Sequence, residues 1–170
     1  MKTMKTALTI AGSDPGGGAG IQADLKTFAA HEVFGLSVIA SITSQNTRGV
    51  RSTFDLPAQV LETQLRAILS DTPPRAVKTG MLGNESLVGC VAERLKRARI
   101  KNLVVDPVIR SSSGKMLLSK KGVDALKAKL LPLALIVTPN IPEAEMLSGI
   151  RISKPEDRLK AAKVILKTGV

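Results

Sequence analysis

The chain contains no tryptophan, no tyrosine and only three phenylalanines in 170 residues. Single-strand nucleic-acid readers stack bases on aromatic rings, so that route is poorly supplied despite a formal net charge of +11. The basic residues are scattered over helix faces (Arg94, Lys96, Arg97, Arg99 and Lys101; Lys120, Lys121, Lys127 and Lys129; Lys160, Lys163 and Lys167) and read as solvated surface, with no nucleic-acid partner. One cysteine, Cys90, excludes an intrachain disulfide and reads as packing, and no Cys-rich or His-rich cluster suggests structural zinc. The single histidine, His31, falls near the end of the first helix and reads as a dipole-compensating cap rather than an acid or base. No apolar run is long enough for a signal core or a membrane span, and MKTMKTALTIAG reads as a buried first strand. The expectation is one α/β domain over residues 1–170, in the cytoplasm, with no membrane partner.

Glycine, by contrast, is concentrated where it matters. In TALTIAGSDPGGGAGIQADLKTF an apolar strand runs into a turn carrying Gly16, Gly17, Gly18 and Gly20, which opens onto an amphipathic helix. Such a junction permits close backbone approach and offers helix N–H groups to an anion or polar ligand. It is not a Walker A loop, because Ile21 and Gln22 follow Gly20 where Lys and Ser or Thr are needed. No G-x-G-x-x-G register exists either, so a dinucleotide is not indicated.

Further along, β-branched runs alternate with helical periodicity, placing strands near Ala7–Ala11, Leu36–Thr43, Ala76–Thr79, Leu103–Asp106 and Leu135–Thr138. That is the pattern of a mostly parallel sheet with helices on both faces. Pro57 stands early in a helix with the stripe Val60, Leu61, Leu65, Ile68 and Leu69, which Pro73 and Pro74 stop. Asn84 and Ser119 are placed to cap the next two helices. Ser153 and Glu156 have capping-box spacing before the stripe Leu159, Ala162, Lys163 and Leu166, with Gly169 as the C-terminal cap. A helix ending there should hand over to another strand, so the chain reads as unfinished at Val170.

Ligands in open α/β sheets gather at the carboxyl ends of the strands, and the polar residues here cluster at those ends. Gln45 either bridges a loop backbone or offers its amide to the edge of a heteroaromatic ring. Asp24 either serves the dipole of the first helix or faces a ligand. Asp106, between an apolar strand and Pro107, is a turn former or a charge held for a metal-bound phosphate. Met81 reads as core more readily than as a ligand contact. Asn140 and Glu143 are three apart at a helix start, aimed at one ligand or simply capping.

Taken together, TIAGSDPGGGAGIQADLKTF, SVIASITSQNTRGV, VKTGML, VVDPVIRSSSGKMLL and TPNIPEAEMLSG resemble the bacterial hydroxymethylpyrimidine and phosphomethylpyrimidine kinases, of the ribokinase-like superfamily, from about Ala7 to Gly149. The resemblance implies ATP-dependent phosphorylation of 4-amino-5-hydroxymethyl-2-methylpyrimidine and then of its monophosphate, for thiamine biosynthesis. It implies that Gln45 hydrogen-bonds the pyrimidine while Gly12, Ala19, Asp24, Met81 and Val108 line its pocket. Asn140 and Glu143 would lie toward the nucleotide, and Asp106 and Glu143 toward Mg2+. Family members are commonly homodimers. They also carry a Gly-Thr-Gly-Cys or Gly-Thr-Gly-Asp turn that forms the anion hole and supplies the base. No such turn occurs in these 170 residues, so the sheet is expected to lack its C-terminal strands and helices, with no catalytic residue assigned and no useful turnover by this chain alone. The alternatives are a pyridoxal or pyridoxine kinase, or a non-catalytic pyrimidine-binding remnant.

Overall fold

The computed structural model describes residues 4–111 and 114–170. Its six strands are β1 (Thr6–Gly12), β2 (Phe34–Asn46), β3 (Gly49–Asp55), β4 (Ala76–Thr79), β5 (Leu103–Val105) and β6 (Ile136–Val137). They form one sheet in the order β3-β2-β1-β4-β5-β6, parallel except for β3, which runs antiparallel to β2. The helices are α1 (Gly20–Ala30), α2 (Ala58–Asp71), α3 (Glu85–Arg97), α4 (Lys120–Ala125), α5 (Ile141–Ser148) and α6 (Pro155–Leu166).

Strand alternation sorts the helices onto both faces of the sheet. Leu8 and Ile10 of β1 sit in the core with Leu61 and Leu65 of α2 and Leu87, Val91 and Leu95 of α3. Thr9, between them in sequence, points to the other face and donates its hydroxyl to Asp24 of α1 at 2.6 Å. The caps form at Asn84, whose Oδ1 accepts from the amides of Ser86 and Leu87, and at Ser119, whose Oγ accepts from Gly122. His31 occupies the C-cap of α1.

Four sequence expectations are corrected. β2 does not end at Thr43 but runs on to Asn46, so Ser44, Gln45 and Asn46 belong to a strand that turns back as β3. That edge strand exposes four consecutive residues, Arg51 to Phe54, and so shows no burial alternation for a pattern search to find. At α6 the partner of Ser153 is Asp157, not Glu156: the Ser153 hydroxyl donates to Asp157 Oδ2 at 3.2 Å. The buried face of that helix is Asp157, Ala161 and Ile165, while Leu159 and Leu166 are 68% and 56% exposed. Finally, α6 closes at Leu166 with Lys167 as its cap, and Gly169 lies beyond it in a left-handed conformation.

Candidate active site

The carboxyl ends of β1, β2, β4 and β5 surround a cavity of about 640 Å3. Every residue expected on the ring side (Gly12, Ala19, Asp24, Gln45, Met81 and Val108) lines it, and so does Asp106. Asn140 and Glu143 do not line it. A second depression, of about 590 Å3 between α2 and α3, lies away from the strand ends. Two of its three arginines are spent on ion pairs, Arg94 with Glu62 and Arg97 with Glu93.

The glycine-rich turn is organised by a carboxylate of its own chain. Asp14, buried, accepts from the amides of Gly16 at 2.9 Å, Gly18 at 3.0 Å and Ala19 at 2.9 Å. The N–H groups that a glycine-rich helix start offers to an anion are therefore partly taken by Asp14 itself. The Asp14 amide in turn donates to Gln22 Oε1 at 2.8 Å. Two further bonds fasten the turn to β2: the Ser13 amide to the Ser41 carbonyl at 2.8 Å, and the Thr43 hydroxyl to the Ser13 carbonyl at 2.7 Å. Gly20 is required here, because at φ 59° its backbone comes so close that a Cβ would lie 2.4 Å from the Gly12 carbonyl oxygen. A Cβ on Gly12 would lie 2.5 Å from Met81 Cε, so the methionine closes directly over that glycine.

Lys78 of β4 stands between the two remaining acids. Its ammonium is 3.0 Å from both carboxylate oxygens of Asp24 and 3.3 Å from Asp106 Oδ2. With the Thr9 hydroxyl also donating to Asp24, a continuous chain of charge-assisted contacts crosses β1, β4 and the end of β5. Sequence reasoning carried Lys78 only within the expected strand Ala76–Thr79 and gave it no role. The available signal was a lysine inside a short apolar strand at the centre of the sheet, which needs a counter-charge there.

Glu143 and Asn140 form a complete capping box at α5: the Glu143 amide donates to Asn140 Oδ1, and the Asn140 amide to Glu143 Oε2, both at 3.0 Å. The other oxygen, Oε1, accepts from the Ile109 amide at 3.3 Å, tying α5 to the segment after Asp106. Burial pushes the Glu143 carboxyl above its ordinary value, against these two backbone donors, and the charge of Asp106 adds to the rise. Both of its oxygens are thus engaged with backbone.

Magnesium typically takes one or two carboxylates, with substrate phosphates and water completing its shell. Asp106, with a side chain 35% exposed and one oxygen toward Lys78, fits that requirement. Among the described residues there is no group of three or more acidic, Cys or His side chains that could cage a metal unaided. The donor set suits a cation that arrives with phosphate.

A mostly parallel sheet with helices on both faces, and a polar pocket at its carboxyl edge, defines the class: an α/β fold of the ribokinase-like kind. The profile of the phosphomethylpyrimidine kinase family matches residues 14–170, and the chain belongs to that family. It is 48% identical to the hydroxymethylpyrimidine/phosphomethylpyrimidine kinase of Haemophilus influenzae over 169 residues, covering 99% of this chain and 63% of the relative. It superposes on the phosphomethylpyrimidine kinase of Clostridium difficile 630 with a TM-score of 0.90 at 48% identity, over 97% of this chain and 71% of that one. The pyridoxal kinase of Staphylococcus aureus in complex with pyridoxal gives the same TM-score at 38% identity, over 99% and 61%. The chain thus spans less than two thirds of the length of the curated relative it matches.

Proposed function

We propose that this chain carries the pyrimidine-binding half of a kinase that transfers phosphate from ATP to 4-amino-5-hydroxymethyl-2-methylpyrimidine and then to its monophosphate. The observation that carries this reading is the cavity itself, where four strand ends bring Gly12, Asp24, Gln45, Met81 and Val108 around one space, with Asp106 at its rim. A flat, amino-bearing ring needs an apolar wall and an amide that both donates and accepts, and Met81 and Gln45 supply these. Asp106 is the residue that would hold Mg2+, which when bound supplies charge stabilisation to the phosphoryl group in transfer. Asn140 would orient the nucleotide from the start of α5. Glu143 supports that side through its capping box and its bond to Ile109, rather than by direct contact.

The 38% identity to a pyridoxal kinase keeps a second ring substrate in contention, since pyridoxal also carries a hydroxymethyl group on a six-membered nitrogen ring. Calorimetric titration with each alcohol in turn separates the two: this reading expects tighter binding of the pyrimidine, and tighter binding of pyridoxal overturns it. Coupled detection of ADP is expected to show no pyrimidine-dependent turnover by these 170 residues alone, and multiple turnovers would overturn that expectation. The reading places the protein in the cytoplasm, where the relatives' biosynthetic reaction would draw on soluble ATP. It also includes a homodimer, for which the β2–β3 ribbon offers an apolar surface: Ile42 and Phe54 stand opposite each other and both are exposed.

A further inference from the structure

The site holds a lysine for which neither the ring side nor the phosphate side accounts. Lys78 pairs in register with Thr9 of β1 and Val104 of β5, at the middle of the sheet, and its ammonium lies between a carboxylate from α1 and one from the end of β5. The two holds are unequal. Asp24 contributes both oxygens at 3.0 Å, is itself fixed by the Thr9 hydroxyl, and has a side chain 17% exposed. Asp106 contributes one oxygen at 3.3 Å from a more open position.

We infer that Lys78 is the positioning residue of this pocket: its ammonium occupies the space between Asp24 and Asp106, turning Asp24 toward the ring and keeping a divalent cation from bridging the two carboxylates. The inference rests on the proposed pyrimidine-binding role of the cavity and adds a division of labour within it. Two carboxylates facing one another without a counter-ion repel each other and attract any cation that can reach both. With the ammonium in place, the charge of Asp24 is answered and its carboxylate held in place on the ring side, and Asp106 alone remains for a cation on the phosphate side. Removing Lys78 therefore has two effects of opposite sign. Asp24 loses the donor that fixes its orientation, so ring binding weakens. The carboxylate pair becomes a better divalent-cation site, so metal binding strengthens. Loss of packing alone weakens both together.

The test uses the full chain and two probes separately: Mn2+ alone, followed by electron paramagnetic resonance, and the hydroxymethylpyrimidine alone, followed by calorimetry. Lys78→Gln is expected to bind Mn2+ about fivefold more tightly, the scale of one unit charge about 4 Å away under water-like screening, and the pyrimidine about tenfold more weakly, the scale of one charge-assisted hydrogen bond. Lys78→Arg keeps the charge and is expected to hold Mn2+ affinity near that of the unaltered protein. The inference is overturned if Lys78→Gln binds Mn2+ no better than the unaltered protein, binds none, or retains full pyrimidine affinity. Should Lys78→Gln fail to fold, Asp24→Asn serves in its place. It frees the ammonium for Asp106 and is expected to weaken Mn2+ binding, and unchanged or stronger binding overturns the inference. If the unaltered protein binds no pyrimidine, the proposed function fails while the Mn2+ comparison still judges Lys78.

Discussion

The two sides of the pocket are built on different principles. On the proposed ring side the carboxylate of Asp14 is buried and answered by three backbone amides, and the turn it organises is fastened to β2 at Ser13 from both directions. On the proposed phosphate side Asp106 has a single ionic contact, to Lys78, and stands partly open. The first arrangement fixes a shape before any ligand arrives, whereas the second leaves a charge available. A planar ring is recognised by shape and a few hydrogen bonds, so rigidity serves it. A phosphoryl group with its metal brings most of its own charge, so the protein need only present a correctly placed acid.

Substitutions that remove the two acids should separate these roles. Asp14→Ala strips the acceptor from three amides at once and is expected to cost about 3 kcal/mol of stability, with pyrimidine binding lost; chemical denaturation and calorimetry measure both. Asp106→Asn, at the open side, is expected to weaken Mn2+ binding about fivefold, the scale of one unit charge about 4 Å away under water-like screening. It should leave the denaturation midpoint and the pyrimidine affinity close to those of the unaltered protein. Equal stability losses for the two variants would erase the comparison. Within the ring side, Gln45→Ala is expected to weaken pyrimidine binding about tenfold without unfolding the protein, since Gln45 lies near the end of an edge ribbon rather than in the core. A loss as large for pyridoxal as for the pyrimidine would remove the amide from ring discrimination.

The smallest effect lies far from the pocket, at the start of α6. Lys160, by its hydrogen bond to Asp157, holds that carboxyl below its ordinary value, with Ser153 adding to the effect. A carboxyl lowered in the folded state contributes stability that is present above its unfolded value and is lost as pH falls through the folded value. Asp157→Asn is therefore expected to flatten the acid limb of stability slightly, measured by thermal melts from neutral pH downward, with no change in pyrimidine affinity.

Much of this arrangement was legible from residue types and spacing. The caps at Asn84, Ser119 and Asn140 depend on neighbours two or three residues away, and the central strands on runs of apolar residues, so local sequence carried them. The convergence of Gln45 and Asp106 followed from strand ends meeting at one edge of a mostly parallel sheet, while the pocket places of Met81 and Val108 came from the resemblance to the kinase family. What escaped depends on long-range pairing or on burial that composition does not encode. β3 shows no alternation because it is an exposed edge, and its partner segment in β2 was read as loop. The apolar residues Leu159 and Leu166 pointed to the wrong face of α6, whose buried side includes an aspartate satisfied by Ser153 and Lys160. Lys78 meets Asp24 and Asp106 across 54 residues in one direction and from a neighbouring strand in the other, a meeting that only the register of β1, β4 and β5 reveals.

The central claim, that the cavity at the carboxyl edge is a preformed site for a hydroxymethylpyrimidine, is tested most directly by calorimetric titration of the full chain with 4-amino-5-hydroxymethyl-2-methylpyrimidine in the absence of nucleotide and metal. The account predicts saturable binding at one site per chain, weakened by Gln45→Ala and abolished by Asp14→Ala. Absence of binding by the folded, unaltered chain, or binding that both substitutions leave untouched, would contradict it.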